Sequence, residues 1–251
     1  MDCTFCLDCV RACPHDNVGW IAASPSDDLL ASASDAQKSG IGRLSKRPDL
    51  VLLCVVLVFA AYVNAAGMIS PVLALEDRFL GVIGAAFRPV LVAAFVLLGC
   101  LVLPLFLLLV TSWISFGQDE DFRQKALAFA CGLVPLGLGM WAAHFSFHFL
   151  TGLGTIIPVV ERFFGKVSET VWQPPVPLLE WLLPMELIFL NIGFIASAVG
   201  VWRLANYFCR LDDDLHFWRL VLPWLLLLGG LFYLAVWIVF QPMEMRGTLL
   251  H

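Results

Sequence analysis

Five long apolar runs dominate the chain, and they restrict it to folds that a lipid bilayer can surround. The runs lie near residues 50–70, 89–115, 126–151, 176–202 and 217–240. A bilayer core of about 30 Å needs about 20 predominantly apolar residues in a helix, and each run meets that length. The second run contains Pro104 and the third contains Pro135, where a membrane helix tolerates a kink. We therefore predict an all-α polytopic membrane protein with about five transmembrane helices.

Composition supports a membrane partner and argues against a nucleic acid. Hydrophobic residues make up 60% of the chain and charged residues only 14%, whereas a soluble domain carries about 25% charged residues. The net charge is −5, and no basic tract is longer than Lys46-Arg47. We therefore expect the lipid bilayer as a partner and no nucleic acid.

The sequence divides into three segments of different composition. Residues 1–20 hold four closely spaced cysteines, and residues 21–49 are rich in Ser, Ala and Asp, which is typical of a linker. Residues 50–251 form the transmembrane helical domain. Within it, residues 72–87 are too short and too charged to span the bilayer, so we predict an interfacial helix there.

Lys and Arg are unevenly distributed between the two sides of a five-helix bundle. Ten lie on the side that carries the N-terminal region: Arg11, Lys38, Arg43, Lys46, Arg47, Arg123, Lys125, Arg203, Arg210 and Arg219. Five lie on the other side: Arg78, Arg88, Arg162, Lys166 and Arg246. Because cytoplasmic loops are enriched in Lys and Arg, we predict a cytoplasmic N-terminus and an external C-terminus.

The four N-terminal cysteines follow the spacing of an iron–sulfur motif. Cys3, Cys6, Cys9 and Cys13 form the pattern C-x2-C-x2-C-x3-C-P, which is the spacing of bacterial ferredoxins. Short spacings let the thiolates converge on one cubane, and the proline ends the loop. Zinc sites usually use two separated CxxC pairs, and disulfides are rare in a cytoplasmic segment. We therefore predict that these four cysteines bind a [4Fe-4S] cluster.

The motif and the helices together resemble a known group of proteins. Residues 3–19, CTFCLDCVRACPHDNVG, resemble the polyferredoxin-type bacterial membrane proteins. These include membrane quinol dehydrogenase subunits of nitrate and nitrous-oxide respiration and membrane ferredoxins that assist cytochrome oxidase assembly. The resemblance covers under a tenth of the chain. It implies a location in the bacterial inner membrane, a redox partner protein on the cytoplasmic side and exchange of electrons with quinone.

The sequence departs from that group in its number of motifs. Group members usually carry two motifs in tandem, whereas this sequence has one, with two residues before Cys3. Cys13 could complete an unusual local site, or a second motif could lie on a partner. The third explanation, which we favour, is that the sequence is the C-terminal portion of a longer protein. In that case Cys13 would bind a cluster whose other ligands lie elsewhere.

Four ionisable residues in the apolar runs form a second candidate site. His144 and His148 share one face of the third helix, and Glu180 and Glu186 lie on the fourth helix. From the outer surface, the helical rise places the histidines at depths of about 6 and 12 Å and the glutamates at about 6 and 15 Å. Three interpretations remain open. They are a quinone site with proton transfer, a metal site of histidines and carboxylates, and a polar clamp between helices without chemistry.

These features predict a membrane-anchored iron–sulfur electron-transfer protein that is a component of electron transport rather than a stand-alone catalyst. A quinone near the outer surface would lie about 20–30 Å from a cytoplasmic cluster, a distance that requires a nearer site or a haem-containing partner. The alternatives are a non-enzymatic membrane protein for assembly or metal handling, and a truncated fragment without independent activity.

Overall fold

The computed structural model describes residues 8–12, 14, 47–117, 121–165, 180–211 and 216–243. The chain forms two compact units, Met1–Leu44 and Ser45–His251. In the first unit the described residues form helix α1 (Asp8–Ala12). In the second unit the described residues form further helices and no β-strand. These are α2 (Pro48–Ala66), α3 (Ser70–Ile83), α4 (Arg88–Leu97), α5 (Leu103–Phe116), α6 (Phe122–Cys131), α7 (Val134–Gly152), α8 (Ile156–Phe163), α9 (Leu182–Leu211) and α10 (Phe217–Val239).

Within the described residues, five helical segments are long and apolar enough to cross a membrane. In chain order, the first to fifth spans are Pro48–Ala66, Ala85–Phe116, Phe122–Phe163, Leu182–Arg210 and Phe217–Val239. This result confirms the prediction of an all-α chain with about five transmembrane helices. The protein is therefore a multi-pass membrane protein.

Pro104 and Pro135 each lie beside an irregular turn. A π-helical turn at Leu98–Val102 separates α4 from α5, and Pro104 follows it in the first turn of α5. Pro135 lies in the first turn of α7, directly after the break that ends α6 at Cys131. Proline is tolerated in a first turn because its missing N–H has no helical acceptor there. The third span is therefore three successive helices, α6, α7 and α8, rather than one kinked helix.

The fourth span extends beyond the apolar run that predicted it. The run ends near residue 202, whereas α9 continues to Leu211. Asn206 lies in this extension and donates from Nδ2 to the carbonyl of Trp202 at 3.0 Å. The end of an apolar run marks the limit of the lipid-facing segment, and polar residues can prolong the helix beyond it. The predicted interfacial segment 72–87 overlaps α3, which begins two residues earlier, at Ser70, and ends at Ile83.

The first and fifth spans end at the same face of the bundle. The N–H of Ser70 donates to the carbonyl of Pro242 at 3.0 Å. The adjacent residues Ile69 and Met243 form an antiparallel bridge. We call this face, which carries Ser70 and Met243, the exit face.

The second span ends at the opposite face, where the fifth span begins. Nε of Arg219 donates to the carbonyl of Ile114 at 3.4 Å, and Oγ of Ser115 donates to the carbonyl of Leu220 at 3.5 Å. We call this face the entry face, because the first span also begins there. The first and fifth spans therefore run parallel, as an odd number of crossings requires.

The contact between α7 and α9 depends on two glycines. A Cβ atom on Gly139 would lie 2.6 Å from the carbonyl oxygen of Phe189. A Cβ atom on Gly193 would lie 2.7 Å from the carbonyl oxygen of Pro135. Small residues allow this close backbone approach, which is a common way for helices to associate in lipid.

The buried hydroxyl of Ser197 accepts a hydrogen bond from the first turn of α7. The N–H of Leu136 lies in the first turn, where no carbonyl of its own helix is available. It donates to Oγ of Ser197 on α9 at 2.9 Å, and this hydroxyl is fully buried. The hydrogen bond fixes the antiparallel register of the two helices.

The other side of α7 packs against α2. A Cβ atom on Gly137 would lie 2.6 Å from a methyl carbon of Val58. One turn further along, Nε1 of Trp141 donates to the carbonyl of Leu57 at 2.9 Å. The helix α7 is therefore held between α2 and α9 and forms the centre of the bundle.

We predict that Gly193→Ala destabilises the protein because its methyl group would clash with the backbone of α7. Overpacking of this kind costs about 1–3 kcal/mol of the free energy of unfolding. The matched control is Gly200→Ala in the same helix, where a Cβ atom meets no other atom within 4 Å. Unfolding in mixed detergent micelles measures both variants, and equal stability of the two would contradict the proposed role of the glycine.

Candidate cavity and buried polar site

The two histidines predicted from the sequence form a contact pair on α7. Their Nε2 atoms are 3.1 Å apart, and the two rings are nearly perpendicular. His144 is buried and His148 is half-buried. Because one Nε2 must donate and the other accept, the pair holds one proton between the two nitrogens.

The helix register brings Glu186 to the level of His144. Gly139 lies beside Phe189 and Gly193, and Leu136 lies beside Ser197. Because α7 and α9 are antiparallel, a step along α7 towards His144 corresponds to a step back along α9. These contacts therefore place residues 184–189 of α9 opposite His144. Glu186 lies within this range and is buried.

No direct hydrogen bond connects the histidines to the glutamates. Nδ1 of His144 and Oε1 of Glu186 are both buried, and neither has a hydrogen-bond partner among the described residues. The Nε2 atom of His144 is used by His148 instead. Glu180 is exposed and lies just before α9 begins. The structure thus brings His144, His148 and Glu186 to neighbouring levels and leaves Glu180 at the surface.

A large apolar cavity lies beside His148. Its volume is about 1080 Å³, and its walls are formed by α2, α3, the second span and α7. Phe95, Trp141 and Phe145 contribute aromatic walls, while Asn64 and His148 contribute polar groups. A volume of this size with few polar groups is typical of sites for lipid-soluble or drug-sized ligands. The cavity lies in the half of the bundle nearer to the exit face, because Asn64 is close to the end of α2.

An ion pair connects α3, which forms one cavity wall, to the start of the second span. Nε of Arg88 lies 3.3 Å from Oε1 of Glu76, and its Nη2 lies 3.3 Å from Oδ1 of Asp77. The side chain of Glu76 is 12% exposed, whereas those of Arg88 and Asp77 are largely exposed. Glu76 also lines the cavity. The cavity therefore has one acidic group, which is paired with an arginine.

The π-helical turn at Leu98–Val102 forms another part of the cavity wall. Leu98 and Cys100 line the cavity, and Gly99 faces α2. A Cβ atom on Gly99 would clash with a methyl carbon of Val63, so the second span approaches α2 closely at this turn. π-Helical turns of this kind occur frequently at functional sites.

The predicted cluster ligands lie almost entirely outside the described residues. Cys3, Cys6 and Cys13 are not among them, and Cys9 is described only as part of the backbone of α1. The predicted thiolate geometry is therefore untested. Among the described residues, no group of three or more His, Cys, Asp or Glu side chains could hold a metal ion. The arrangement of His144, His148 and Glu186 thus gives no support to a metal site.

Comparison with known proteins identifies no relative. No protein-family model, curated protein or solved structure matches the chain.

Sequence reasoning identified the histidines but missed the cavity around them. Asn64 is a single polar residue in the first apolar run, and that signal could have marked it as a cavity group. In the sequence, Glu76 is only one of the charges that prevent residues 72–87 from spanning the membrane. The cavity itself depends on how four helices pack, and no local pattern encodes that arrangement.

We predict that Arg88→Gln loosens α3 because it removes both ion pairs with that helix. Exposed ion pairs contribute up to about 1 kcal/mol, so amide hydrogen exchange in Ser70–Ile83 should accelerate by up to about five-fold. The control is Arg78→Gln on α3 itself, since no ion pair of Arg78 occurs among the described residues. Unchanged exchange in Arg88→Gln would show that the ion pairs do not hold the cavity wall.

Proposed function

We propose that the chain is a membrane-anchored iron–sulfur electron-transfer protein. The observation that carries this proposal is the C-x2-C-x2-C-x3-C-P motif at residues 3–14, joined to a bundle of five spans. The spacing is specific for a [4Fe-4S] cluster held by Cys3, Cys6, Cys9 and Cys13. A cluster of this kind transfers single electrons, and the bundle anchors it at the membrane. The resemblance to polyferredoxin-type membrane proteins agrees with this role.

The proposal places the cluster on the cytoplasmic side of a bacterial inner membrane. The excess of Lys and Arg on the side of the N-terminal region supports this orientation. The parallel first and fifth spans then place residue 243 on the external side. A redox partner protein would meet the cluster from the cytoplasm.

The cavity supports exchange with the quinone pool. A quinone has a ring with two polar oxygens and a long apolar tail, and this chemistry fits an apolar cavity with a few polar groups. In the cavity, His148 and Asn64 could each form a hydrogen bond with a ring oxygen. The partly open form of the cavity allows the tail to remain in the membrane.

Distance sets a condition on this exchange. Ala60 and Asn64 line the cavity, and they lie about 18 and 24 Å of helical rise from Pro48. A direct transfer of electrons between a ring in the cavity and a cluster on the cytoplasmic side would therefore be slow. The proposal requires a further redox group, carried by a partner subunit in the membrane, to connect the two sites.

We predict that the full-length protein, purified without oxygen, shows the paramagnetic signal of a reduced [4Fe-4S] cluster after addition of dithionite. Cys6→Ser should abolish the signal because it removes one of the four thiolate ligands. The control is Cys54→Ala, which changes a half-buried cysteine in the first span. A signal that persists in Cys6→Ser, or a wild-type protein without bound iron and sulfide, would refute the iron–sulfur assignment.

A second prediction tests the cavity in native membranes, where any partner subunit is present. Quinol should reduce the cluster, and Ala94→Phe should slow this reduction by at least about ten-fold because the larger side chain fills part of the cavity. Each ligand methylene that loses its contact there costs about 0.8 kcal/mol, so loss of about two is sufficient. Ala93→Phe is the matched control, because Ala93 is exposed and outside the cavity. A cluster that responds only to dithionite would instead favour a role in assembly or metal handling.

A further inference from the structure

Six buried side-chain polar atoms of the described residues have no hydrogen-bond partner. Three of them lie on the adjacent helices α2, α7 and α9, and they are Oη of Tyr62, Nδ1 of His144 and Oε1 of Glu186. The three residues are only 4%, 2% and 3% exposed. An unsatisfied buried polar group costs about 1–3 kcal/mol, so three of them in one domain require an explanation.

The three atoms belong to helices that meet at one level of the bundle. On α2, Val58 lies beside Gly137 and Leu57 lies beside Trp141. Because α2 and α7 run parallel, these contacts place residues 60–65 of α2 opposite His144. Tyr62 falls within that range. Tyr62 and Glu186 are thus both at the level of His144, on the two helices that pack against α7.

The sequence pattern directs two of these side chains towards α7. Glu186 shares one face of α9 with Gly193 and Ser197, both of which contact α7. Tyr62 shares one face of α2 with Val58, which also contacts α7. Helix geometry and burial therefore agree that a polar region lies inside the bundle at this level.

The histidine pair connects this polar region to the cavity. His148 lines the cavity, and its Nε2 contacts Nε2 of His144 at 3.1 Å. With Nε2 engaged, Nδ1 is the ring nitrogen of His148 that is left for a ligand. The Nδ1 atom of His144 is buried inside the bundle. The two rings therefore form a continuous connection from the cavity to the interior.

We propose that Tyr62, His144 and Glu186 hold buried water, and that His148 links this water to the cavity as a path for protons. Buried water typically makes about three hydrogen bonds to otherwise unsatisfied polar groups. A phenol, an imidazole and a carboxyl group supply both donors and acceptors for it. A ligand in the cavity thereby exchanges protons with the interior of the bundle.

The path moves one proton and needs no oxidant. A hydroxyl group of a cavity ligand loses its proton to Nδ1 of His148, while the proton on Nε2 of His148 passes to Nε2 of His144. The proton on Nδ1 of His144 then passes through water to the carboxylate of Glu186. Both rings end neutral in the opposite tautomer, the ligand oxygen has lost one proton, and the carboxylate has gained it.

Radiolytic hydroxyl labelling tests for the water, because it modifies side chains that lie beside bound water. The full-length protein in lipid nanodiscs is labelled in ¹⁸O-water. Tyr62 should be labelled at least about ten-fold faster than Phe129, which is equally buried but carries no polar group to bind water. Glu186→Leu should slow the labelling of Tyr62. Ser146→Ala should not, since Oγ of Ser146 donates to the carbonyl of Ala143 in its own helix.

Nuclear magnetic resonance of ¹⁵N-labelled histidine tests the connection between Glu186 and His144 with a conservative substitution. Glu186→Gln should shift the Nδ1 resonance of His144 and leave the resonances of His216, at the entry face, unchanged. The proposal would be overturned if Tyr62 were labelled no faster than Phe129. It would also be overturned if the Nδ1 resonance of His144 did not shift in Glu186→Gln. Both measurements report on the helical domain alone, so they are independent of whether a cluster is bound.

Discussion

The close contact of α7 with α9 is the constraint on which the rest of the bundle depends. In lipid, helices gain little from the hydrophobic effect, because their apolar side chains are equally well accommodated by acyl chains. Association then depends on close packing and on satisfied polar groups. Gly139 and Gly193 permit contact between the two backbones. The bond from Leu136 to Ser197 fixes how far one helix is displaced along the other. Together they decide which residues of α9 face His144.

The same tight core explains why the cavity lies where it does. In the most apolar part of the third span, 61% of the residues are buried inside the bundle. In the most apolar part of the second span, only 6% are buried. The second span touches α2 closely at Gly99 and contacts α10 near its own end, whereas most of its other apolar side chains are exposed. A short helix, α3, precedes it and is joined to it by the ion pairs of Arg88. The cavity thus forms between the buried centre of the bundle and the more exposed helices α3 and α4.

The sequence predicts the elements of this fold better than their arrangement. Apolar runs of sufficient length predict the five spans, because the bilayer imposes a minimum helix length. They do not predict the end of α9 at Leu211, since polar residues prolong that helix beyond the lipid. Nor do they predict the break between α6 and α7, because apolar residues continue through it. Pro135 indicates that break only if this proline is already known to lie in the first turn of a helix.

The candidate site shows the same limit. The spacing of His144 and His148 predicts a shared helix face, and the depth of Glu186 agrees with the level found from packing. The similar depths of the histidines and glutamates allow direct pairing between them, and the structure has no such pair among the described residues. His144 instead turns its Nε2 to His148. Which partner Nε2 of His144 contacts depends on side-chain rotamers within a packed interior. The role of Tyr62 has a similar origin, because an aromatic residue in an apolar run gives no sign that its hydroxyl is buried without a partner.

The positions of the two histidines give the proposed proton path a direction. The cavity lies towards the exit face, and His148 lies four residues nearer than His144 to the exit-face end of α7. Glu186 lies at the level of His144. A proton that passes from His148 through His144 to Glu186 therefore moves away from the exit face and into the interior of the bundle.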